Sequence, residues 1–250
     1  MSYKHVFDKA IQIADTSDYK STFETFHDHP ELYHFIIAPN NQFGTDDGAI
    51  LDANRINPDL TNQLITKGPS LLGNGSVEID GVESRHILTL VFLHKILGPE
   101  WGNVVEIGGG YGNYLRLVQE IVNYTSWSIV DLYYILDLQR WVFSTLEIDT
   151  SNVTSIESKD IISQAQLKPD LVIGIHSLSE LSIEDFQAYY DTIISKAKYL
   201  FYVSARGSPS VELLQQKKKI IETDFILKYY LIYENETSVM MLFYNNGVIV

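Results

Sequence analysis

From Asn103 onward the apolar residues fall into two rhythms that take turns along the chain. Short strand-like segments recur at Val104–Ile107, Trp127–Val130, Val153–Ile156, Leu171–Ile175 and Tyr199–Val203. Between them lie longer stretches at Tyr114–Val122, Ile135–Leu146, Ile183–Ser195 and Val211–Ile221. In the first of these, Leu115, Leu117, Val118 and Ile121 fall on roughly one side of a helix. Strands alternating with helices predict a parallel sheet with helices on both faces. Leu171–Ile175 is apolar at every position, as befits a strand buried on both faces. The end breaks the rhythm: Phe225–Tyr233 and Val239–Tyr244 read as two strands joined only by Glu234-Asn235-Glu236-Thr237. That pattern predicts an antiparallel hairpin. The expected fold class is α/β, a mostly parallel seven-stranded sheet closed by an antiparallel C-terminal hairpin.

The first hundred residues differ in character. Pro30, Pro39, Pro58, Pro69 and Pro99 punctuate them, with loops expected around Asn40-Asn41 and Gly44 to Gly48. Helices are expected at Tyr3–Ala14 and Glu83–Leu97. The pattern divides the chain into a mainly helical cap over residues 1–98 and a sheet domain over residues 99–250. Such a cap would lie over the carboxyl edge of the sheet, where open α/β folds bind ligands.

At 250 residues, 45% apolar and 20% charged, the chain has the composition of an ordinary globular protein. Its net charge of −14 argues against a nucleic-acid groove, which needs a basic face. The one basic run, Lys217-Lys218-Lys219, reads as the solvated face of a helix. With no cysteine the chain has neither disulfides nor thiolate metal sites, which is compatible with a reducing cytosol. The N-terminus lacks the basic and apolar regions of a signal peptide, and the longest apolar stretch, Ile87–Leu97, is too short to span a bilayer. The expected location is cytoplasmic, with no membrane partner; homo-oligomerisation stays open.

The chemistry concentrates at Val104-Val105-Glu106-Ile107-Gly108-Gly109-Gly110-Tyr111-Gly112-Asn113. Glycine at every second position lets a strand turn sharply into a helix while a ligand lies against the backbone. A dinucleotide fingerprint, G-x-G-x-x-G, would need glycine where Asn113 stands. Glu106, two residues ahead of the first glycine, would repel a pyrophosphate. It suits a ligand carrying positive charge and an amino group, as S-adenosylmethionine does.

A larger match surrounds this loop. Gly68-Pro69, Gly73-Asn74 and Arg85 precede it; Ile129-Val130-Asp131-Leu132 and Ser179-Glu180-Leu181 follow it. With Val105-Glu106-Ile107-Gly108-Gly109-Gly110-Tyr111-Gly112, these pieces resemble the sugar O-methyltransferases, a class I S-adenosylmethionine-dependent group with a Rossmann-like fold. The resemblance spans roughly residues 60 to 210. It implies S-adenosylmethionine as cofactor and a sugar or nucleotide-sugar hydroxyl as methyl acceptor. Ahead of Ser-Glu-Leu this chain carries His176-Ser177-Leu178, where the family tends toward an Asn-containing, aromatic-rich segment.

Candidate roles follow residue by residue. Glu106, Gly108, Gly109, Gly110, Tyr111 and Asn113 would border the cofactor, Asn113 having a second reading as a helix cap. Asp131 at a strand end suits both ribose hydroxyls, with Leu132 beside it and a helix N-cap as its other reading. Ile156, Glu157 and Ser158 would meet the adenine. Arg85 or Arg206 would pair the methionine carboxylate, and Arg206 and Tyr111 would touch the substrate; surface ion pairing is the ordinary alternative for either arginine. His176, leaving a buried strand, would take the proton from the acceptor hydroxyl, with Glu180 orienting it or acting as the base itself. A structural histidine is the plainer reading of His176. His27-x-His29 lacks convergent carboxylates, so no metal is expected. The competing functional readings are a non-catalytic binding or scaffold protein of the same fold and a methyltransferase for another small molecule or a peptide.

Overall fold

A computed structural model describes residues 47–66, 81–164, 166–205, 210–233 and 238–247. The chain divides into two compact units. One comprises the chain up to Phe92 with Gly110–Glu120 and Tyr133–Asp149; the other comprises Leu93–Gly109, Ile121–Leu132 and everything from Thr150 onward.

The first unit is helical. It holds α1 (Asp47–Ile56), α2 (Pro58–Thr66), most of α3 (Gly81–Leu97), α4 (Asn113–Val118) and α5 (Tyr133–Thr145). The sequence reading expected no helix at α1 and α2. Pro58 looks like a breaker but sits at the first helical position, where its missing N–H has no partner to lose, and Asn57 Oδ1 accepts from Leu60 N at 3.1 Å. Ala49, Ala53, Leu60 and Leu64 of this pair are buried. The helix expected at Tyr3–Ala14 lies outside the described residues.

The second unit carries the sheet: β1 (Asn103–Ile107), β2 (Ser126–Asp131), β3 (Val153–Glu157), β4 (Leu171–Ile175), β5 (Tyr199–Ala205), β6 (Phe225–Tyr233) and β7 (Ser238–Asn245). Strand order is β3-β2-β1-β4-β5-β7-β6. The first five strands pair in parallel, and β7 lies antiparallel between β5 and β6. The fold is therefore the α/β class expected, a seven-stranded mixed sheet with a C-terminal antiparallel hairpin. Its helices are α6 (Ser177–Glu180), α7 (Ile183–Thr192) and α8 (Ser210–Ile221), with 3-10 turns at Ser158–Gln164 and Ile194–Lys196.

One face of the sheet supplies Val105, Ile107, Val130, Ile156, Val172, Leu200, Tyr202, Met241 and Phe243 to a core with Phe186, Tyr189, Tyr190 and Ile193 of the α7 region and Ile221 of α8. Residues of the opposite pleat, including Val104, Trp127, Ile129, Leu171, Ile173 and Phe201, are buried as well. Burial on both faces explains the unbroken apolar runs of the central strands. Trp101 stacks on Trp127 at 6.4 Å between centroids, and Tyr124 meets the same ring edge-on at 5.4 Å.

Several helix ends differ from expectation. α4 stops at Val118, and the chain then returns to extended pairing: Asn123 bridges Glu100, with Asn123 N donating to Pro99 O at 2.8 Å and Trp101 N to Asn123 O at 3.0 Å. Backbone partners there outcompete the last helical turn. α7 starts at Ile183 as expected, capped by the Ser182 hydroxyl, which accepts from Asp185 N at 3.0 Å, but it yields at Ile193 to the 3-10 turn. Among the described residues no helix is long and apolar enough to cross a membrane.

Candidate functional site

Strands β2 and β3 lie on one side of β1, while β4 and β5 lie on the other. The chain reverses its direction of winding between β1 and β4, and at that switch point the carboxyl ends of neighbouring strands open a crevice. Four strand ends meet along this edge: Glu106 to Gly108 on β1, Asp131-Leu132 on β2, Glu157-Ser158 on β3 and His176-Ser177 on β4.

The junction of β1 with β4 is tight. Gly108 has φ +76, and a Cβ there would stand 2.2 Å from the Ser177 Cβ. The Ser177 hydroxyl donates to the Ile107 carbonyl, and Gly108 N donates to Val130 O at 2.9 Å. The first glycine of the motif is thus required by the protein's own packing. The third differs. Gly110 has φ +55, yet a Cβ there would meet nothing within 4 Å. Among the described residues only the left-handed backbone calls for glycine at that position.

Glu106 is 4% exposed, and its Oε2 accepts from Trp127 Nε1 at 2.9 Å. Burial pushes the carboxyl up to about 7; Trp127 pulls it down, and the negative charge of Asp131 pushes it up again. Asp131 closes β2 beside Glu157 of β3, and its Oδ1 accepts from Leu132 N at 2.8 Å. The expected adenine trio separates. Ile156 belongs to the core. Glu157 pairs with Lys159 at 2.5 Å, and Ser158 opens the 3-10 turn.

His176 leaves β4 with φ 64 and ψ −37, a conformation an L-residue adopts only at a cost of about 1–3 kcal/mol. Neighbouring bonds hold it: His176 N donates to Val203 O at 3.0 Å, and its carbonyl accepts from Ser179 N at 2.9 Å and from the Ser179 hydroxyl. Glu180 closes the short helix α6 that follows; His176 is its N-cap, with a non-helical backbone, so the helix runs only from Ser177 to Glu180. Glu180 is solvent-exposed; partial burial of its carboxyl pushes the pKa up and Lys217 opposes the shift.

Lys217 corrects the sequence reading. It is fully buried, and only its neighbours Lys218 and Lys219 meet solvent. In α8 it shares the core-facing stripe with Leu214 and Ile221, three before and four after it. That spacing was the signal available in the sequence; the run of three lysines obscured it.

The remaining cofactor candidates belong to the helical unit. Tyr111 is buried. Gly112, at φ 88, is the N-cap of α4, so Asn113 is the first helical residue and does not cap it. The Asn113 amide nitrogen lies 3.1 Å from His86 Nδ1, and its Oδ1 accepts from Arg116 Nε at 2.9 Å. Arg116 in turn forms a buried ion pair with Glu83. Gln139 of α5 donates to the Gly110 carbonyl at 2.8 Å. Arg85 lies half-buried on α3. Neither Ser177, Gln139 nor the Glu83–Arg116 pair stood out in the sequence, because hydroxyl and amide contacts to backbone leave no periodic trace. Arg206, His27, His29, Gly68-Pro69 and Gly73-Asn74 lie outside the described residues. Among the described residues no cluster of three or more His, Asp or Glu could hold a metal ion.

No protein-family model matches the chain, and no curated protein matches it in sequence. Solved structures do share its fold. The methyltransferase domain of bacterial CtHen1-C superposes with a TM-score of 0.52 at 13% identity, covering 65% of this chain and 97% of that one. The methyltransferase domain of bacterial CtHen1-CN gives 0.50 at 13% identity, covering 62% and 95%. At such identity the likeness concerns the fold alone: this chain shares the architecture of those two domains.

Proposed function

We propose that this protein is an S-adenosylmethionine-dependent methyltransferase acting on a hydroxyl of a small molecule. The observation that carries the reading is Glu106. Its buried carboxyl is held near neutrality by burial and by Asp131, with no cation among the groups that shift it. A cationic ligand at the end of β1 would relieve that cost, and the carboxylate of Asp131 at the end of the neighbouring strand suits the hydroxyls of such a ligand. The methyltransferase fold of the two similar domains supports the same reading.

S-adenosylmethionine supplies a methyl group on a sulfonium, which makes direct displacement by an oxygen nucleophile feasible. The chain's own residues would then have three tasks. Asp131 would fix the ribose through its two hydroxyls. Glu106 would balance positive charge. His176, with Glu180 beyond it, would accept the proton of the acceptor hydroxyl as the carbon–oxygen bond forms. The acceptor class we assign is a sugar, free or nucleotide-linked, and it rests on the family resemblance of the sequence; the acidic surface favours a small acceptor over a nucleic acid.

Calorimetry and turnover test the reading. S-adenosylhomocysteine should bind with micromolar-range affinity and raise Tm while NAD does neither. A panel of sugars and nucleotide sugars, scored by S-adenosylhomocysteine release, should contain an acceptor. Binding of NAD without S-adenosylhomocysteine would overturn the proposal.

A further inference from the structure

Lys217 lies on the apolar, core-facing side of α8, between Leu214 and Ile221, and has no exposed surface. An ammonium buried without partners costs several kcal/mol. Here each of its three N–H bonds finds an oxygen: Lys217 Nζ donates to the carbonyls of Leu178 at 2.8 Å, Ser179 at 2.9 Å and Leu181 at 2.6 Å. The Phe186 ring lies under the same ammonium at 5.6 Å.

All three acceptors belong to α6 and the residue that follows it. A helix of four residues satisfies few of its own carbonyls, and those near its C-terminus carry the negative end of the helix dipole. A buried cation meets both needs at once. The same four residues follow directly on His176, whose backbone is strained and persists only while its surroundings over-determine it. Two further ties act there: the Ser177 hydroxyl to the Ile107 carbonyl, and the Ser179 hydroxyl to the His176 carbonyl. Lys217 closes the set from the opposite end of the turn, through a helix distant in sequence.

We propose that Lys217 is a positioning residue for methyl transfer: its ammonium, clamped on the Leu178, Ser179 and Leu181 carbonyls, holds the His176–Leu181 turn in the geometry that presents His176 and Glu180 to the acceptor. The inference rests on the assignment of that turn as the proton-accepting element. It adds the device that fixes it and explains a buried charge that packing alone would replace with an apolar side chain. Burial pushes the Lys217 ammonium down to about 8 and Glu180 pulls it back up. The three carbonyls, which can only accept, favour the charged form further.

The test compares wild type, Lys217→Met and Lys217→Arg in full-length protein. Four quantities are read: S-adenosylhomocysteine affinity, kcat, the KM for the acceptor, and amide hydrogen exchange across residues 176–181. Methionine fills the volume and removes the donors. The proposal expects kcat to fall by ten- to a hundredfold, with S-adenosylhomocysteine affinity within about threefold of wild type. Amides of residues 178–181 should lose protection while those of β4 and β5 keep theirs. Wild-type kcat in a folded Lys217→Met protein overturns the inference and leaves the enzymatic reading standing. Parallel losses of cofactor affinity, protection and kcat also overturn it, by making Lys217 a general structural residue. If Lys217→Met does not fold, Lys217→Arg decides on the same readouts, because its planar fork cannot reproduce three convergent bonds. Absence of S-adenosylhomocysteine binding and turnover in the wild type would instead remove the enzymatic reading, and this inference with it.

Discussion

Trp127 Nε1 donates to Glu106 Oε2 at 2.9 Å within the sheet, so the carboxyl of the glycine-rich strand is tethered from the neighbouring strand. The bond favours the ionised form, yet burial outweighs it and leaves the pKa at about 7, above its ordinary 4.5. A carboxyl whose pKa is raised by folding contributes stability below pH 4.5 and loses it as pH rises through 7. The displacement corresponds to about 3 kcal/mol. Glu106→Gln, which keeps an acceptor for Trp127, should therefore be more stable than wild type at pH 8 and little different at pH 4. Denaturant unfolding at the two pH values measures this; equal effects at both would show that folding does not shift the Glu106 pKa.

The same carboxyl links cofactor binding to pH. A sulfonium or ammonium beside Glu106 favours its charged form, so binding at pH 6 should release a proton and tighten as pH rises from 6 to 8. Calorimetry of S-adenosylmethionine in buffers of different ionisation enthalpy reads the released proton directly. In Glu106→Gln the release should vanish and affinity should drop by about tenfold or more. An unchanged proton release in that variant would place the linkage elsewhere.

Two glycines of one motif should respond differently to alanine. Gly108→Ala must resolve a 2.2 Å approach to the Ser177 Cβ at an unfavourable φ, so it should destabilise the protein by about 2–4 kcal/mol. Gly110→Ala carries only the backbone cost of about 1 kcal/mol, because its Cβ meets no atom of the described residues within 4 Å. The second variant should fold and lose S-adenosylhomocysteine affinity by tenfold or more; an unaffected affinity would mean that the ligand does not approach the backbone there.

How much of this could be read from the sequence depends on what each feature imprints there. The strands did, since burial on both faces gives unbroken apolar runs such as Leu171–Ile175, which the structure reproduces residue for residue. The α1–α2 pair did not, since Pro58 has the same letter whether it breaks a helix or starts one. The motif glycines were legible as a set. That Gly108 answers to Ser177 and Gly110 only to its left-handed backbone was not, because the first contact crosses 69 positions of chain. Lys217 shows the opposite limit: its run of lysines reads as a solvated face, while its partners are backbone carbonyls, which no sequence pattern records.

Asp131 ends β2 at the switch-point edge, where its Oδ1 accepts from Leu132 N at 2.8 Å and where a carboxylate suits a ligand hydroxyl. Asp131→Asn should keep the fold and weaken S-adenosylhomocysteine by ten- to a hundredfold, the range for hydrogen bonds to a charged group. It should also lower the Glu106 pKa, since one negative neighbour disappears. Titrating Glu106 in the variant checks the second effect without any ligand. No change in that titration would mean that the two carboxylates do not interact.

The base assignment turns on the backbone of His176. At φ 64 any L-residue is strained, so alanine there keeps the strain while glycine relieves it. His176→Gly should therefore be more stable than His176→Ala by about 1 kcal/mol, a difference that isolates the backbone from the lost imidazole. Turnover should ignore that difference. Both variants should fall by about a hundredfold or more, with S-adenosylhomocysteine affinity nearly intact, because the missing proton acceptor is common to them. Glu180→Gln distinguishes the two candidate bases: a comparable loss with a shifted pH–rate profile makes the carboxylate the acceptor or its direct partner. A small loss with the profile unmoved leaves His176 as the base. Near-normal turnover in all three variants would remove the β4 turn from the chemistry, and the strained histidine would then be a feature of packing alone.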